Sequence, residues 1–281
     1  MLIKRILINK SLVMLEAINE AASYIREKFK DQADTAIILG SGLGNIVEHL
    51  GDRIIVDYKT IPHFPVSTVE GHAGQLISGL LDGTRVLVMS GRFHYYEGYS
   101  MEEVTFPIRV MKFLGIKSLI VSNAAGGMNP MFEIGDIMVI TDHINTMPNP
   151  LIGKHDPAFG ERFPDMSETY SHEMIEKFKF FASELRIPIK EGCYVGVTGP
   201  TLETPREYEY FRIIGGDAVG MSTVPEAIVA HQMGIRVFAV SVITDLGVPG
   251  KIRKLTHKDV IRAAEKAAPK LTSLIIKLVA E

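Results

Sequence analysis

Three observations predict an α/β fold. Short apolar runs recur along the chain, among them Ala36–Leu39, Val86–Met89, Leu119–Val121 and Arg236–Ile243, each the length of a buried strand. Stretches with apolar residues at helical spacing lie between them. Most of the runs open into loops rich in glycine, serine or charged side chains, and in an open α/β sheet ligands bind at the ends of the strands.

The elements follow in order. Leu12, Leu15, Ile18, Ala22, Ile25 and Phe29 share one helical face, which predicts an amphipathic helix over residues 11–29 behind a poorly anchored lead-in. Residues 1–30 are therefore read as a helix packed on a main domain of residues 31–281. Ala36–Leu39 runs into Gly40-Ser41-Gly42-Leu43-Gly44, with a helix expected near Asn45. Glycines permit a tight turn, and the free amides of such a turn point at an anion. The spacing is not the Gly-x-Gly-x-x-Gly of a dinucleotide fold, so phosphate or a phosphorylated ligand fits better than a nicotinamide dinucleotide. An irregular segment with Pro62 and Pro65 ends in Gly71-His72-Ala73-Gly74. Leu76–Leu81 and Thr84–Met89 form a hairpin through Asp82-Gly83.

The loop after that hairpin, Gly91-Arg92-Phe93-His94-Tyr95-Tyr96-Glu97-Gly98, carries the densest chemistry. Arg92 is either a two-bond clamp for phosphate or carboxylate, with His94 assisting and Tyr96 orienting a hydroxyl, or one half of a salt bridge to Glu97. Ser100 with Glu103 reads as a capping box for a helix that ends at Gly115. Leu119–Val121 opens into Ser122-Asn123-Ala124-Ala125-Gly126-Gly127, and Asp136–Thr141 is a further strand. Residues 146–170, with Pro148, Pro150, Pro157 and Pro164, read as a long loop carrying Phe159 as an exposed aromatic. A helix over residues 171–185 and a strand over residues 192–198 lead to Leu202, Glu203 and a helix start at Thr204-Pro205. Ser222 precedes a helix near Pro225 and is either an anion ligand or a capping hydroxyl. Asp245 ends the last strand, and Thr256-His257 opens the final helix.

Composition narrows the classes. The net charge of -3 and the lack of a long basic cluster argue against nucleic-acid binding. No apolar run approaches membrane length. The single cysteine, Cys193, excludes an internal disulfide framework and suits a reducing compartment, so a cytoplasmic protein is expected. Neither His143 nor His155 has partners at metal-ligand spacing. A nucleotide-binding regulatory module would use the same glycines without needing Asp245 or His257. A purely structural trimer would not need so many polar residues converging on strand ends.

In order along the chain, Gly40-Ser41-Gly42-Leu43-Gly44, Gly71-His72-Ala73-Gly74, Gly91-Arg92-Phe93-His94-x-Tyr96-Glu97-Gly98, Ser122-Asn123-Ala124-Ala125-Gly126-Gly127, Arg162-Phe163-Pro164-x-Met166-Ser167 and Gly220-Met221-Ser222-Thr223-Val224-Pro225-Glu226 resemble the trimeric class of purine nucleoside phosphorylases, the family that also contains methylthioadenosine phosphorylase. The resemblance implies one α/β/α domain around a mixed, distorted, partly barrel-like sheet. It implies pentosyl transfer: phosphate cleaves inosine, guanosine or their 2'-deoxy forms to free purine and α-(deoxy)ribose 1-phosphate with inversion, and no cofactor is needed. Phosphate would meet Ser41, His72, Arg92, His94, Ala124 and Ser222. The sugar would meet Tyr96, Met221 and His257, with Phe159 arriving from the neighbouring subunit of a homotrimer. Glu203 and Asp245 would read the base, lined by Tyr194, Val219 and Leu202. His94, Glu203 and Asp245 would carry the catalysis. Arg92→Ala is expected to impair phosphate use and leave folding intact. Two departures stand out. Asp245 occupies a position where 6-oxopurine members normally carry Asn, as in the methylthioadenosine branch, and Leu202 replaces an aromatic. Glu203 follows the 6-oxopurine pattern, so inosine and guanosine are the expected substrates, and an adenosine- or methylthioadenosine-preferring enzyme is the alternative.

Overall fold

In the computed structural model the described residues are 2–68 and 73–281, with side chains from Leu12 onward. Nine strands of the described residues form one mixed sheet: β1 (Thr35–Ile38), β2 (Gly51–Asp57), β3 (Gln75–Leu81), β4 (Thr84–Ser90), β5 (Ser118–Gly127), β6 (Ile137–Asn145), β7 (Ile189–Gly196), β8 (Ala218–Gly220) and β9 (Arg236–Leu246). Their order is β2-β3-β4-β1-β5-β8-β7-β6-β9, and an additional β5–β9 pairing closes the last five into a small barrel. The sheet is thus an open wing joined to a ring, the partly barrel-like architecture expected above.

Strand β5 belongs to both parts. Along one edge it pairs β1 over Ser118–Val121, then β8 at Gly126–Gly127. Along the other it pairs β9 over its whole length. Between Val121 and Gly126 the first edge has lost β1 and not yet met β8, so wing and ring part there. That gap is a switch point of the kind at which α/β sheets bind ligands.

Among the described residues six α-helices cover the sheet: α1 (Leu2–Lys28), α2 (Met101–Phe113), α3 (His172–Glu184), α4 (Pro205–Ile213), α5 (Val224–Gln232) and α6 (His257–Ala280). Ile18, Ala21, Ala22 and Ile25 of α1 are buried in the same core as the strands. The capping box of Ser100 and Glu103 forms as read, and further ones, not foreseen, form at Thr204 with Glu207 and at Thr256 with Asp259. Asp82 and Gly83 both take positive φ in the β3–β4 turn. Among the described residues no helix is long and apolar enough to cross a membrane.

Four local expectations change. Helix α1 runs back to Leu2, since no glycine or proline interrupts the first 28 residues. The helix expected at Asn45 is only a six-residue 3-10 segment, Gly44–His49, because strand β2 begins at Gly51. Strand β2 itself escapes the apolar pattern: it is the sheet's edge, exposed from Gly51 to Ile55, with Asp52 and Arg53 in it. The loops expected after Val121 and Thr141 are instead continuations of β5 and β6.

Candidate active site

A cavity of about 420 Å³ fills the gap beside β5. It gathers Ser41, Arg92, His94, Tyr96, Ala124, Leu202, Glu203, Val219, Met221, Ser222, Asp245 and His257, twelve residues singled out from the sequence. His72 lies outside the described residues. Two others lie elsewhere. Tyr194 is fully buried, with its hydroxyl against Gly220, so it sits behind the cavity wall and not on it. Phe159 is not an exposed aromatic: it is 9% exposed, and the Arg109 guanidinium stacks on its ring at 4.4 Å.

One end of the cavity carries Arg92, His94 and the hydroxyls of Ser41 and Ser222. The turn after β1 reaches it because Gly42, at φ +74, lies against the backbone of Ile261 and the methyl of Ala264 in α6, where a β-carbon would collide. Arg92 is 2% exposed, and its fork is tied into the protein. It donates to the Thr223 hydroxyl at 3.1 Å and to the Ser122 carbonyl, and lies 3.7 Å from the buried Glu226 carboxylate. The sequence reading of a salt bridge to Glu97 is therefore corrected. Glu97 instead accepts from His94 Nδ1 at 3.0 Å and from the His94 backbone amide at 2.8 Å. Burial alone would raise Glu97, but the hydrogen bonds from His94 and Thr68 outweigh it and hold the carboxyl down to about 2.

Because an ionised carboxylate only accepts, His94 Nδ1 carries the proton and Nε2 keeps a lone pair. Burial, the largest effect, lowers the imidazole below its ordinary value against the pull of Glu97, and the Arg92 charge adds to the lowering. His94 is thus a neutral acceptor stacked on Tyr96 at 4.7 Å. Thr223 was not foreseen. It accepts from both Arg92 and Asn123, is fully buried, and holds φ at +72. A β-branched residue in that region is strained, and the two donors over-determine it. Ser222 does not cap α5: Thr223 is the flanking residue, and it makes no side-chain capping bond.

The other end is acidic. Register slips between Ala125 and Gly126, so that Ala125 faces Ile243 and Gly126 faces Asp245, with Thr244 as the extra residue. The bulge brings both Thr244 and Asp245 to the cavity. Asp245 Oδ1 accepts from the Thr244 hydroxyl at 3.1 Å and Oδ2 from the Tyr208 hydroxyl at 3.0 Å. Burial raises the Asp245 carboxyl above its ordinary range, against those two hydrogen bonds. Burial raises Glu203 as well, and the Asp245 charge adds to it. Glu203 does not cap α4; Thr204 does. Tyr208 is the main residue missed at this end. Its only mark in the sequence is an aromatic on α4, five positions after Glu203. Leu202 is 45% exposed at the rim, and His257 opens α6 there.

A mixed sheet closed into a ring on one side, with an arginine end and a carboxylate end in one cleft, is a phosphorylase-type fold, and the family model described as "Phosphorylase superfamily" matches residues 34–280. A purine nucleoside phosphorylase 1 of Geobacillus stearothermophilus is 53% identical over 89% of this chain and 92% of its own, and one of Bacillus subtilis is 49% identical over 95% and 99%. A purine nucleoside phosphorylase of Schistosoma mansoni, solved with cytosine and ribose-1-phosphate, superposes with a TM-score of 0.90 at 39% identity, covering 95% of this chain and 96% of that one. The chain belongs to the purine nucleoside phosphorylase family.

Proposed function

We propose that this chain is a pentosyltransferase that uses phosphate to cleave inosine and guanosine, with their 2'-deoxy forms, reversibly to free purine and α-(deoxy)ribose 1-phosphate. The observation that carries the reading is the polarity of one cleft, with Ser41, Arg92, His94 and Ser222 at one end and Glu203 and Asp245 at the other. The names of the relatives and the ribose-1-phosphate held by the Schistosoma protein point the same way.

Each step uses groups already described. As the glycosidic bond loosens, the sugar gains oxocarbenium character. Phosphate, fixed beneath the anomeric carbon, is both counter-charge and nucleophile. His94 Nε2 accepts the phosphate O–H, leaving an oxygen lone pair free to attack. Tyr96, Met221 and His257 are assigned to the sugar. Glu203 accepts N1–H of a 6-oxopurine, and a proton on Asp245 is donated to O6 or N7 of the departing base. Attack from the opposite face inverts the anomeric centre. Phosphate is a co-substrate, and no metal or organic cofactor is called for. The direct test is release of hypoxanthine from inosine. Release that requires phosphate and yields ribose 1-phosphate supports the reading, and phosphate-independent release to free ribose overturns it.

The assembly is proposed to be a homotrimer, and its location cytoplasmic. Phe159 lines none of its own chain's cleft, so any contact with a sugar is made in a neighbour. It lines a separate cavity of about 560 Å³ with Phe106 and Arg109. Sedimentation at micromolar concentration is expected to give a trimer, and Phe159→Ala to raise the nucleoside KM and also to lower the melting temperature, because the ring is buried beneath Arg109. A fully active monomer would rule this out.

A further inference from the structure

Tyr208 packs beside the carboxylate end of the cleft. Its hydroxyl donates to Asp245 Oδ2 at 3.0 Å. The residue is buried, and it does not line the cleft, so it acts on a ligand only through the carboxylate it holds. The fold makes room for it: a β-carbon on Gly247 would overlap the ring, so this aromatic and that glycine fit as a pair. The phenol has one proton, and the geometry commits it to Asp245.

That commitment has chemical content. With the charge on Asp245 and a proton on Glu203, the cleft offers an acceptor at the 6-position and a donor at N1. That is the complement of a 6-aminopurine. With the proton on Asp245 and the charge on Glu203, it offers a donor at the 6-position and an acceptor at N1, the complement of a 6-oxopurine. Both arrangements hold the same number of protons. What separates them is which carboxylate receives better hydrogen bonds, and Asp245 receives those of both Tyr208 and Thr244.

We propose that Tyr208 is a positioning residue that places the proton shared by Asp245 and Glu203, and that its bond to Asp245 admits 6-aminopurine nucleosides as a second substrate class beside the 6-oxopurines. The proposal rests on the purine nucleoside reading above. Burial and the neighbouring carboxylates raise the Tyr208 phenol well above its ordinary value, so it remains a donor across the working range. The other ionisable groups of the cleft are Arg92, His94 and Tyr96 on the β4 side and His257 on α6.

The test compares kcat/KM for adenosine and inosine from mildly acidic to alkaline pH in the wild type, Tyr208→Phe, Asp245→Asn and the double variant. Tyr208→Phe keeps the ring against Gly247 and removes only the hydroxyl. The adenosine-to-inosine ratio is expected to fall about tenfold, and the alkaline decline of inosine cleavage to move up by about one pH unit, the equivalent of one lost hydrogen bond to a charged group. In the Asp245→Asn background the same change is expected to leave the ratio unmoved. Equal losses for both substrates with an unmoved pH profile would make Tyr208 a structural residue and overturn the proposal, as would a shifted ratio without Asp245. If no purine nucleoside is cleaved, the functional reading fails separately. Titration of carbon-13-labelled aspartate then still decides whether Tyr208→Phe raises the Asp245 carboxyl, and an unmoved carboxyl overturns the proposal.

Discussion

Arg92→Ala is expected to lower kcat/KM for phosphate by about 10²–10³-fold, the usual scale for losing one preorganised electrostatic partner, and also to lower the melting temperature. The second effect departs from the sequence expectation that folding would be untouched. Arg92 lies beside the buried Glu226 carboxylate and donates to Thr223 and Ser122. Truncation leaves a buried carboxylate without its cation, a change that costs about 3–5 kcal/mol. For a chain of this size that corresponds to roughly 10 °C. Pairing the substitution with Glu226→Gln should restore part of the melting temperature and none of the phosphate affinity. Calorimetry and phosphate-dependent kinetics on the two variants separate the roles. An Arg92→Ala enzyme with unchanged phosphate dependence would remove Arg92 from the anion site.

The second large effect concerns Asp245→Asn. Two buried carboxyls beside one another retain a proton to higher pH than either would in water. Cleavage of a 6-oxopurine needs Glu203 ionised and a donor at position 245. As pH rises through the last ionisation of the pair, the Asp245 donor is lost, and kcat/KM for inosine falls about tenfold for each further pH unit. Asparagine donates at every pH, so the alkaline fall should vanish or move upward while any acid-side fall from Glu203 remains. Adenosine should respond oppositely: the amide is a poorer acceptor for its 6-amino group than a carboxylate, and kcat/KM should drop about 10–100-fold, the worth of a hydrogen bond to a charged group. Wild-type preference for adenosine or methylthioadenosine across the whole pH range would show that Asp245, not Glu203, governs the choice.

Much of the site was legible because its residues sit where apolar runs end. The runs before Gly40, Gly91 and Ser122 mark β1, β4 and β5, and Ser41, Arg92 and Ala124 fall just beyond or within those ends. The partners within the protein were not legible. Glu226 reaches Arg92, and Tyr208 reaches Asp245, across separations of 134 and 37 residues that no local pattern reports. The bridge from Arg92 to Glu97, one of the two readings of that loop, does not form, because the turn of the 3-10 segment aims the carboxylate at His94, three residues away. Tyr194 was expected in the base pocket from the family resemblance alone, and the pairing of β7 with β8 sets it behind the wall. The ring closure through β5 and β9 follows from long-range pairing and came only from the family resemblance.

The double membership of β5 divides the cleft into two parts of unequal evolvability. Its Arg92 end is made of strand backbone and a mesh in which Arg92, Thr223, Asn123 and Glu226 hold one another, so a single replacement there leaves several partners unsatisfied. Its base end is made of side chains carried separately by a bulge in β9, by α4 and by the loop before it. Those can be exchanged one at a time without re-registering a strand. A lineage built on this scaffold can therefore drift in the heterocycle it accepts while the group that attacks stays the same.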